Sequence, residues 1–358
     1  MNLCPIMDYK NILVGIGNPL LGRKIIISLL LDIIQDITAN VDKQFIQNHT
    51  LEENGSMLVT KKYIDELIDE ILNSQSDPNI EYTPGGTILN TVRVFQWTMN
   101  RIVNNDNKPI THFATFFGAI GNDYYSEILL SESQKSGLRM LCQNIEDEHT
   151  GRCLTMINGT KRSMCADLGA ASKFNFKFLE TRENWSVIEN ATVYYTSAHF
   201  LNVSPNCIMR ICEYASSKNK KFIFNMGAIY LAKKFKKEIE IILKYSDLIF
   251  GNEAEYRAFA NEMNFDKIED IKDIGLEMAK FEKVSSLNER VIVITRDDLP
   301  LIVIKNDGQM IEYKVKEIPN VALVDSSCAG DAFAGGLKIS KITIILKVSL
   351  LHMFVVSN

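Results

Sequence analysis

The residues best suited to chemistry in this chain sit where strand-like runs give way to helix starts. In "VDSSCAGDAFAGG" (residues 324–336), an apolar run of Val321, Leu323 and Val324 passes through small residues into a helix start headed by Asp331. Successive backbone N–H groups at such a turn point at an anion, and the helix dipole favours its negative charge. Asp331 would then accept the proton of an attacking hydroxyl. A carboxylate of ordinary pKa ~3.9 is a weak base, so its contribution is mostly alignment, as suits a loose phosphoryl-transfer transition state. Taken alone, the same residues also describe a helix N-terminus whose aspartate simply favours the dipole.

Two further stretches have the same character. "NEAE" places Asn252 and Glu255 three apart, on one face of a helix. Their oxygens suit Mg²⁺, which keeps waters and phosphate ligands; a helix start with its own capping residue is the alternative. "TPGGTILN" offers Gly85 and Gly86 for close backbone approach, then Thr87 and Asn90 as hydrogen-bonding groups for a sugar hydroxyl, or equally a plain turn. No G-x-x-x-x-G-K-[ST] phosphate loop is present, and "GIGNPLLG" has Leu20 where a dinucleotide fingerprint needs glycine.

The elements that must position these groups follow from periodicity. Strand-like runs recur at Asn11–Gly17, Phe113–Gly121, Thr192–Ser197, Lys221–Met226, Leu248–Gly251, Val291–Thr295 and Leu301–Lys305. Several are nearly continuous in β-branched and aromatic residues, as in parallel strands buried on both faces. Between them lie helical patterns: Ile64, Leu67, Ile68, Ile71 and Leu72 mark one face, and Ile88, Val92, Phe95 and Met99 another. Alternating strands and helices predict an α/β fold with a largely parallel sheet, whose ligands bind beyond the C-terminal strand ends. The three stretches fall there.

Bulk properties exclude other classes. The 358 residues are 46% apolar and carry a net charge of −5, which offers no basis for nucleic-acid binding. The cluster Lys233, Lys234, Lys236 and Lys237 reads as a solvated helix face. Seven scattered cysteines without C-x-x-C spacing suit a reducing compartment and argue against a disulfide framework or zinc site. The N-terminus lacks the features of a signal peptide, and the apolar stretches Ile25–Ile34 and Ile342–Val356 fall short of a membrane span. A soluble cytoplasmic protein is expected, with a nuclear location also open.

In order, "GIGNPLL", "NVDKQF", "GGTILN", "FATFFGAIGND", "TGRCLTMINGTKRS", "FLNVSP", "LIFGNEAE" and "AGDAFAGG" make the chain from about Asn11 to Gly336 resemble the PfkB-type (ribokinase-like) kinases, most closely their adenosine-phosphorylating members. The resemblance implies a three-layer α/β/α domain with a largely parallel central sheet and a small β lid. It assigns 1–31, 61–149 and 169–358 to the large domain and 32–60 and 150–168 to the lid. It implies transfer of the ATP γ-phosphoryl to the adenosine 5′-hydroxyl with Mg²⁺ required, by a monomer that binds neither nucleic acid nor membrane. Asp331 is then the base, and Cys328, Ala329 and Gly330 form the anion hole with its N–H. Asn18, Asp32, Gly86, Thr87 and Asn90 would hold the ribose end of the nucleoside. Cys153 and Phe200 would line the base pocket, although both residue types are usually core. Arg162 would meet phosphate from the lid. Asn252 and Glu255 would act on Mg²⁺ through its waters, and Asn225, Asn252 and Thr295 would serve the donor nucleotide.

The chain departs from the family at four places. The greasy insert Gly22–Leu31 separates Asn18 from Asp32; Cys328 replaces the first anion-hole glycine; "TRDD" (295–298) lacks a glycine; and the tail 337–358 is unlike the family's closing helices, which complete the ATP adenine pocket. A nucleoside-binding protein with an incomplete ATP site, and a kinase of another sugar or nucleoside, are therefore alternatives.

Overall fold

In the computed structural model, residues 27–30, 34–53, 55–74, 80–103, 112–159, 161–284, 289–315 and 328–336 are described. Two sheets organise them. The smaller contains β2 (Ile34–Asn40), β3 (Ser56–Leu58), β4 (Ile80–Gly85), β7 (Thr150–Asn158) and β8 (Lys161–Gly169), in spatial order 3-8-7-2-4. The larger contains β1 (Ile27–Leu30), β5 (Ala114–Ile120), β6 (Arg139–Asn144), β9 (Val193–Ser197), β10 (Lys221–Asn225), β11 (Leu248–Asn252), β12 (Val291–Thr295), β13 (Leu301–Lys305) and β14 (Met310–Tyr313), in spatial order 14-13-12-11-10-9-1-5-6.

From β6 to β12 every neighbouring pair in the larger sheet is parallel, and only β13 and β14 run antiparallel at one edge. The parallel strands β5 and β9 are buried along their whole length, which explains their unbroken apolar runs. Their side chains form one core with helices on both faces, including Leu89 and Val92 of the Thr87–Val103 helix and Ile208 and Ile211 of the Pro205–Ser217 helix. This is the expected three-layer arrangement.

The smaller sheet has its own core, in which Ile37, Leu154, Met156 and Cys165 meet Ile64, Leu67, Ile68 and Ile71 of the Lys61–Ser74 helix. That helix thus packs on the smaller sheet, of which β4 is the edge strand. Leu72, expected on the buried face, is 45% exposed. It lies one helical step past the stripe that faces the sheet.

Six of the expected strand runs appear within a residue or so of their expected bounds; Asn11–Gly17 lies outside the described residues. Between β5 and β9 lies Ile27–Leu30, from the stretch that interrupts the family pattern. Four residues of the insert are thus part of the sheet. Of the tail, nothing beyond Gly336 falls among the described residues. Among the described residues no helix is long and apolar enough to cross a membrane, and the six described cysteines are free thiols.

Candidate active site

The Ala329–Gly336 helix docks against the Thr87–Val103 helix, and the cleft forms where their N-terminal ends meet the lid. Gly335 makes this approach feasible, because a Cβ there would lie 2.3 Å from the Thr91 carbonyl oxygen and 2.9 Å from Val94 Cβ. Phe333 seats the other side of the short helix edge-on against Phe250 of β11, with ring centroids 6.2 Å apart. This docking carries Asp331 to the end of the sheet where the strands' C-termini lie.

The first backbone bond of the short helix runs from Ala332 N to Cys328 O (2.8 Å). The N–H groups of Ala329, Gly330 and Asp331 consequently have no acceptor within the helix. Cys328, Ala329 and Gly330 are exposed, and among the described residues nothing outside their own helix and chain neighbours lies within 4 Å of the place a Gly330 Cβ would occupy. An open, donor-lined helix start is what an anion requires.

Cys328 has φ +59°, so the position that carries glycine in the family pattern does take the left-handed conformation. A side chain there costs about 1–2 kcal/mol, partly offset by the hydrogen bond from Asn90 Nδ2 to Cys328 Sγ (3.2 Å). We expect Cys328→Gly to raise the unfolding free energy by about 1 kcal/mol in denaturant titrations, since glycine adopts this φ without strain. A loss of stability would show that the thiol contact outweighs the strain. Asp297, in the "TRDD" stretch, likewise adopts φ +49°.

Asn90 is the pivot of the acceptor side. It lies one turn into the Thr87–Val103 helix, with its backbone N–H bonded to Gly86 O (3.0 Å), and its side-chain amide hydrogen-bonds both Asp331 and Asp36. Asp36 stands on β2 beside Gly85, where a Cβ would fall 1.9 Å from the Asp36 carboxyl carbon. Of the two nucleoside-holding residues expected nearer the N-terminus, Asn18 and Asp32 both lie outside the described residues. The carboxylate that the structure does bring to the cleft is Asp36, four residues beyond Asp32. The signal was available: "DITANVDKQF" runs from Asp36 into a family-like segment without a break.

Burial pushes the Asp36 carboxyl up to about 7, against the Asn90 hydrogen bond and the Arg93 guanidinium. Asp331 is raised well above the usual carboxylate range, first by loss of water and also by the charges of Asp36 and Glu255; Asn90 and Arg162 oppose this. Arg162, on β8, thus lies within electrostatic reach of Asp331. Cys153 is aligned with Asp36 across the β2–β7 pair, and burial followed by the Asp36 charge holds its thiol protonated. Phe200 is fully buried against Phe174, with ring centroids 5.9 Å apart, so in this arrangement it belongs to the core.

The donor side follows the ends of β10, β11 and β12. Asn225 Nδ2 donates to the Tyr195 hydroxyl (3.1 Å), and Tyr195 also hydrogen-bonds Thr91. Tyr195 went unremarked in the sequence because it reads as one more apolar residue of a buried strand. Its hydroxyl links the helix that carries Asn90 to the end of β10, within electrostatic reach of Asp331 and Glu255. Thr295 is paired with Asn252 across β11 and β12.

Asn252 and Glu255 form a reciprocal capping box: Asn252 Oδ1 accepts from Glu255 N (2.9 Å), and Glu255 Oε2 accepts from Asn252 N (3.0 Å). The capping reading is thus present. Glu255 is nonetheless 8% exposed, and burial pushes it up to about 7 against its Asn252 backbone bond. Among the described residues no three His, Cys, Asp or Glu side chains could cage a metal. The donor set fits a hydrated Mg²⁺ that takes its remaining ligands from phosphate.

Comparison with known proteins agrees with this architecture. The model of the pfkB family of carbohydrate kinases matches residues 63–340. Adenosine kinase 1 of Arabidopsis thaliana is 33% identical over 92% of this chain and 87% of its own length. The adenosine kinase of Schizosaccharomyces pombe is 32% identical over 79% of this chain and 82% of its own. Among solved structures, Anopheles gambiae adenosine kinase in complex with P1,P4-di(adenosine-5) tetraphosphate superposes with a TM-score of 0.80 at 29% identity, covering 88% of each chain.

Proposed function

The chain belongs to the pfkB family of carbohydrate kinases, and from that premise we propose that it transfers the γ-phosphoryl group of ATP to the 5′-hydroxyl of adenosine, giving ADP and AMP. The observation that carries the reading is Asn90 joining Asp36 to Asp331 beside the open helix start at Cys328–Gly330. Asp36, Asn90 and Thr87 hold the ribose, which leaves its 5′-hydroxyl toward Asp331. The backbone N–H groups from Cys328 to Asp331 receive the transferring phosphoryl group, and Arg162 closes on it from the lid. Asn225 and Thr295 flank the donor nucleotide. Cys153, beside Asp36 across the β2–β7 pair, stays with the adenine end, while Phe200 supports the site from the core. Asn252 and Glu255 hold Mg²⁺ through its waters; the ion neutralises developing phosphate charge. The protein is expected to work as a cytoplasmic monomer.

Phosphoryl transfer needs Asp331 ionised, and burial with two carboxylate neighbours opposes ionisation. The apparent kcat/KM for adenosine should therefore climb as pH rises towards neutrality, where an unperturbed carboxylate would give a plateau above roughly pH 5. Asp36→Asn removes one negative neighbour and should move this acid limb to lower pH. AMP formation from adenosine and Mg-ATP tests the reading directly, with ribose and fructose as competing acceptors. Turnover of a sugar but not adenosine would reassign the substrate, and a pH profile already flat at pH 5.5 would reject the coupled-carboxylate account. Thermal-shift titrations with adenosine and with Mg-ATP separate the two half-sites. Stabilisation by adenosine alone would favour the alternative with an incomplete ATP site.

A further inference from the structure

The two sheets meet where the chain passes from the larger sheet into β7, and one carboxylate joins them. Asp123 follows β5 and caps the Tyr124–Lys135 helix, with Oδ1 accepting from Ser126 N (3.0 Å). The same Oδ1 accepts the Thr150 hydroxyl (2.7 Å), and Oδ2 accepts the Thr150 backbone N–H (2.7 Å). Gly121 N donates back to Thr150 Oγ1 (3.1 Å), so the turn after β5 and the first residue of β7 hold each other at both backbone and side chain. Thr150 is fully buried.

A helix cap needs one oxygen and one N–H. The second carboxylate oxygen and both Thr150 donors are surplus to that role, and they bind a residue of the other sheet. What Thr150 anchors is also specific. Strand β7 pairs in parallel with β2 from Ile34 to Asn40, and this register sets Asp36 beside Cys153. The returning strand β8 ends at the same point, with Ala170 N bonded to His149 O (2.8 Å). Tilting β7 about Thr150 therefore moves Asp36 and Arg162 together relative to Asp331, which is fixed to the larger sheet's side.

We propose that the Asp123–Thr150 pair is the pivot on which the lid closes, and that both are positioning residues for phosphoryl transfer. They touch no substrate; they set the arc along which Asp36 and Arg162 approach Asp331. The inference rests on the kinase reading above.

Thr150→Val keeps the β-branched shape and the backbone N–H but deletes the hydroxyl. Asp123→Asn keeps a cap oxygen for Ser126 N but replaces the other acceptor with a donor. Each should lower kcat/KM for adenosine by about tenfold, because small misplacements of reacting groups are costly in rate. The KM for ATP should stay within about twofold, and the double variant should lose no more than either single one, as for partners in one interaction. Ser126→Ala disturbs only the reciprocal half of the cap and should leave kinetics unchanged. Unaltered kinetics in Thr150→Val, additive losses in the double variant, or a Ser126→Ala loss of similar size would overturn the pivot. Hydrogen exchange on the unliganded protein provides the readout independent of substrate. Thr150→Val should speed exchange at the start of β7 while β9 and β10 stay protected, and uniform acceleration or none would reject the idea. Failure of the unmodified protein to phosphorylate adenosine would instead count against the substrate assignment alone.

Discussion

Replacing Asp331 with asparagine should remove at least 99% of turnover while adenosine affinity stays within a few-fold. A positioned general base contributes about 10²–10⁴ in rate, and asparagine keeps the size and an oxygen for the Asn90 hydrogen bond. The proposed ribose contacts through Asp36, Thr87 and Asn90 would not pass through the lost charge. Initial-rate measurements of AMP formation give the first quantity, and calorimetric titration with adenosine gives the second. A variant with kcat within tenfold of the parent would dismiss Asp331 as base, and a parallel collapse of adenosine binding would recast it as a binding group.

The second large effect lies far from the cleft. Arg290 is 1% exposed, and its guanidinium donates to the carbonyl oxygens of Leu243 (2.6 Å), Ser246 (3.3 Å), Met278 (3.3 Å), Phe281 and Glu282 (3.1 Å). These are the closing carbonyls of the Lys236–Leu243 and Ile271–Lys280 helices and the residues just after them. Helix C-termini leave such groups without intrahelical donors and carry partial negative charge. One planar fork satisfies both ends at once, even though burial pulls the Arg290 pKa down to about 10. Arg290→Met fills similar volume but strands the carbonyls, and should cost about 3–5 kcal/mol of stability. Arg290→Lys keeps a charge with fewer donors in a different geometry, and should recover only part of this. Denaturant unfolding measures both; a loss below 1 kcal/mol in the methionine variant would mean that water replaces the guanidinium.

The parts of this architecture that repeat locally were legible in the sequence. Strands such as Val291–Thr295 and Leu301–Lys305 are short apolar runs bounded by polar turns, and burial on both faces produces such runs. Asp331, Asn90, Asn252 and Glu255 drew attention in the sequence because each sits near a strand end or a helix start, where small residues mark the backbone; their roles here are proposals. What escaped notice depends on contacts between distant segments. The Tyr195 hydroxyl matters only because Asn225 and Thr91 meet it, and Arg290 gains its role from carbonyls more than 40 residues away in two cases. Asp36 went unremarked for another reason: an insert precedes it and breaks the spacing of the family-like segment. The Asn252–Glu255 box carries the capping reading, and the proposed metal role would call on the same oxygens of the same helix turn.

The central place of β1 has a bearing on how the chain is made. Ile27–Leu30 pairs with β5 on one side and β9 on the other, and β5 begins 84 residues after β1 ends (Leu30 to Ala114). At about 5–20 residues per second, a nascent chain waits roughly 4–17 s for the first neighbour of this strand and longer for the second. Throughout that interval "IIISLLL" is an apolar segment with both edges unpaired, the kind of sequence that holdase chaperones bind and that aggregates when they are scarce. Yield during synthesis, more than stability afterwards, is then where the insert would be felt.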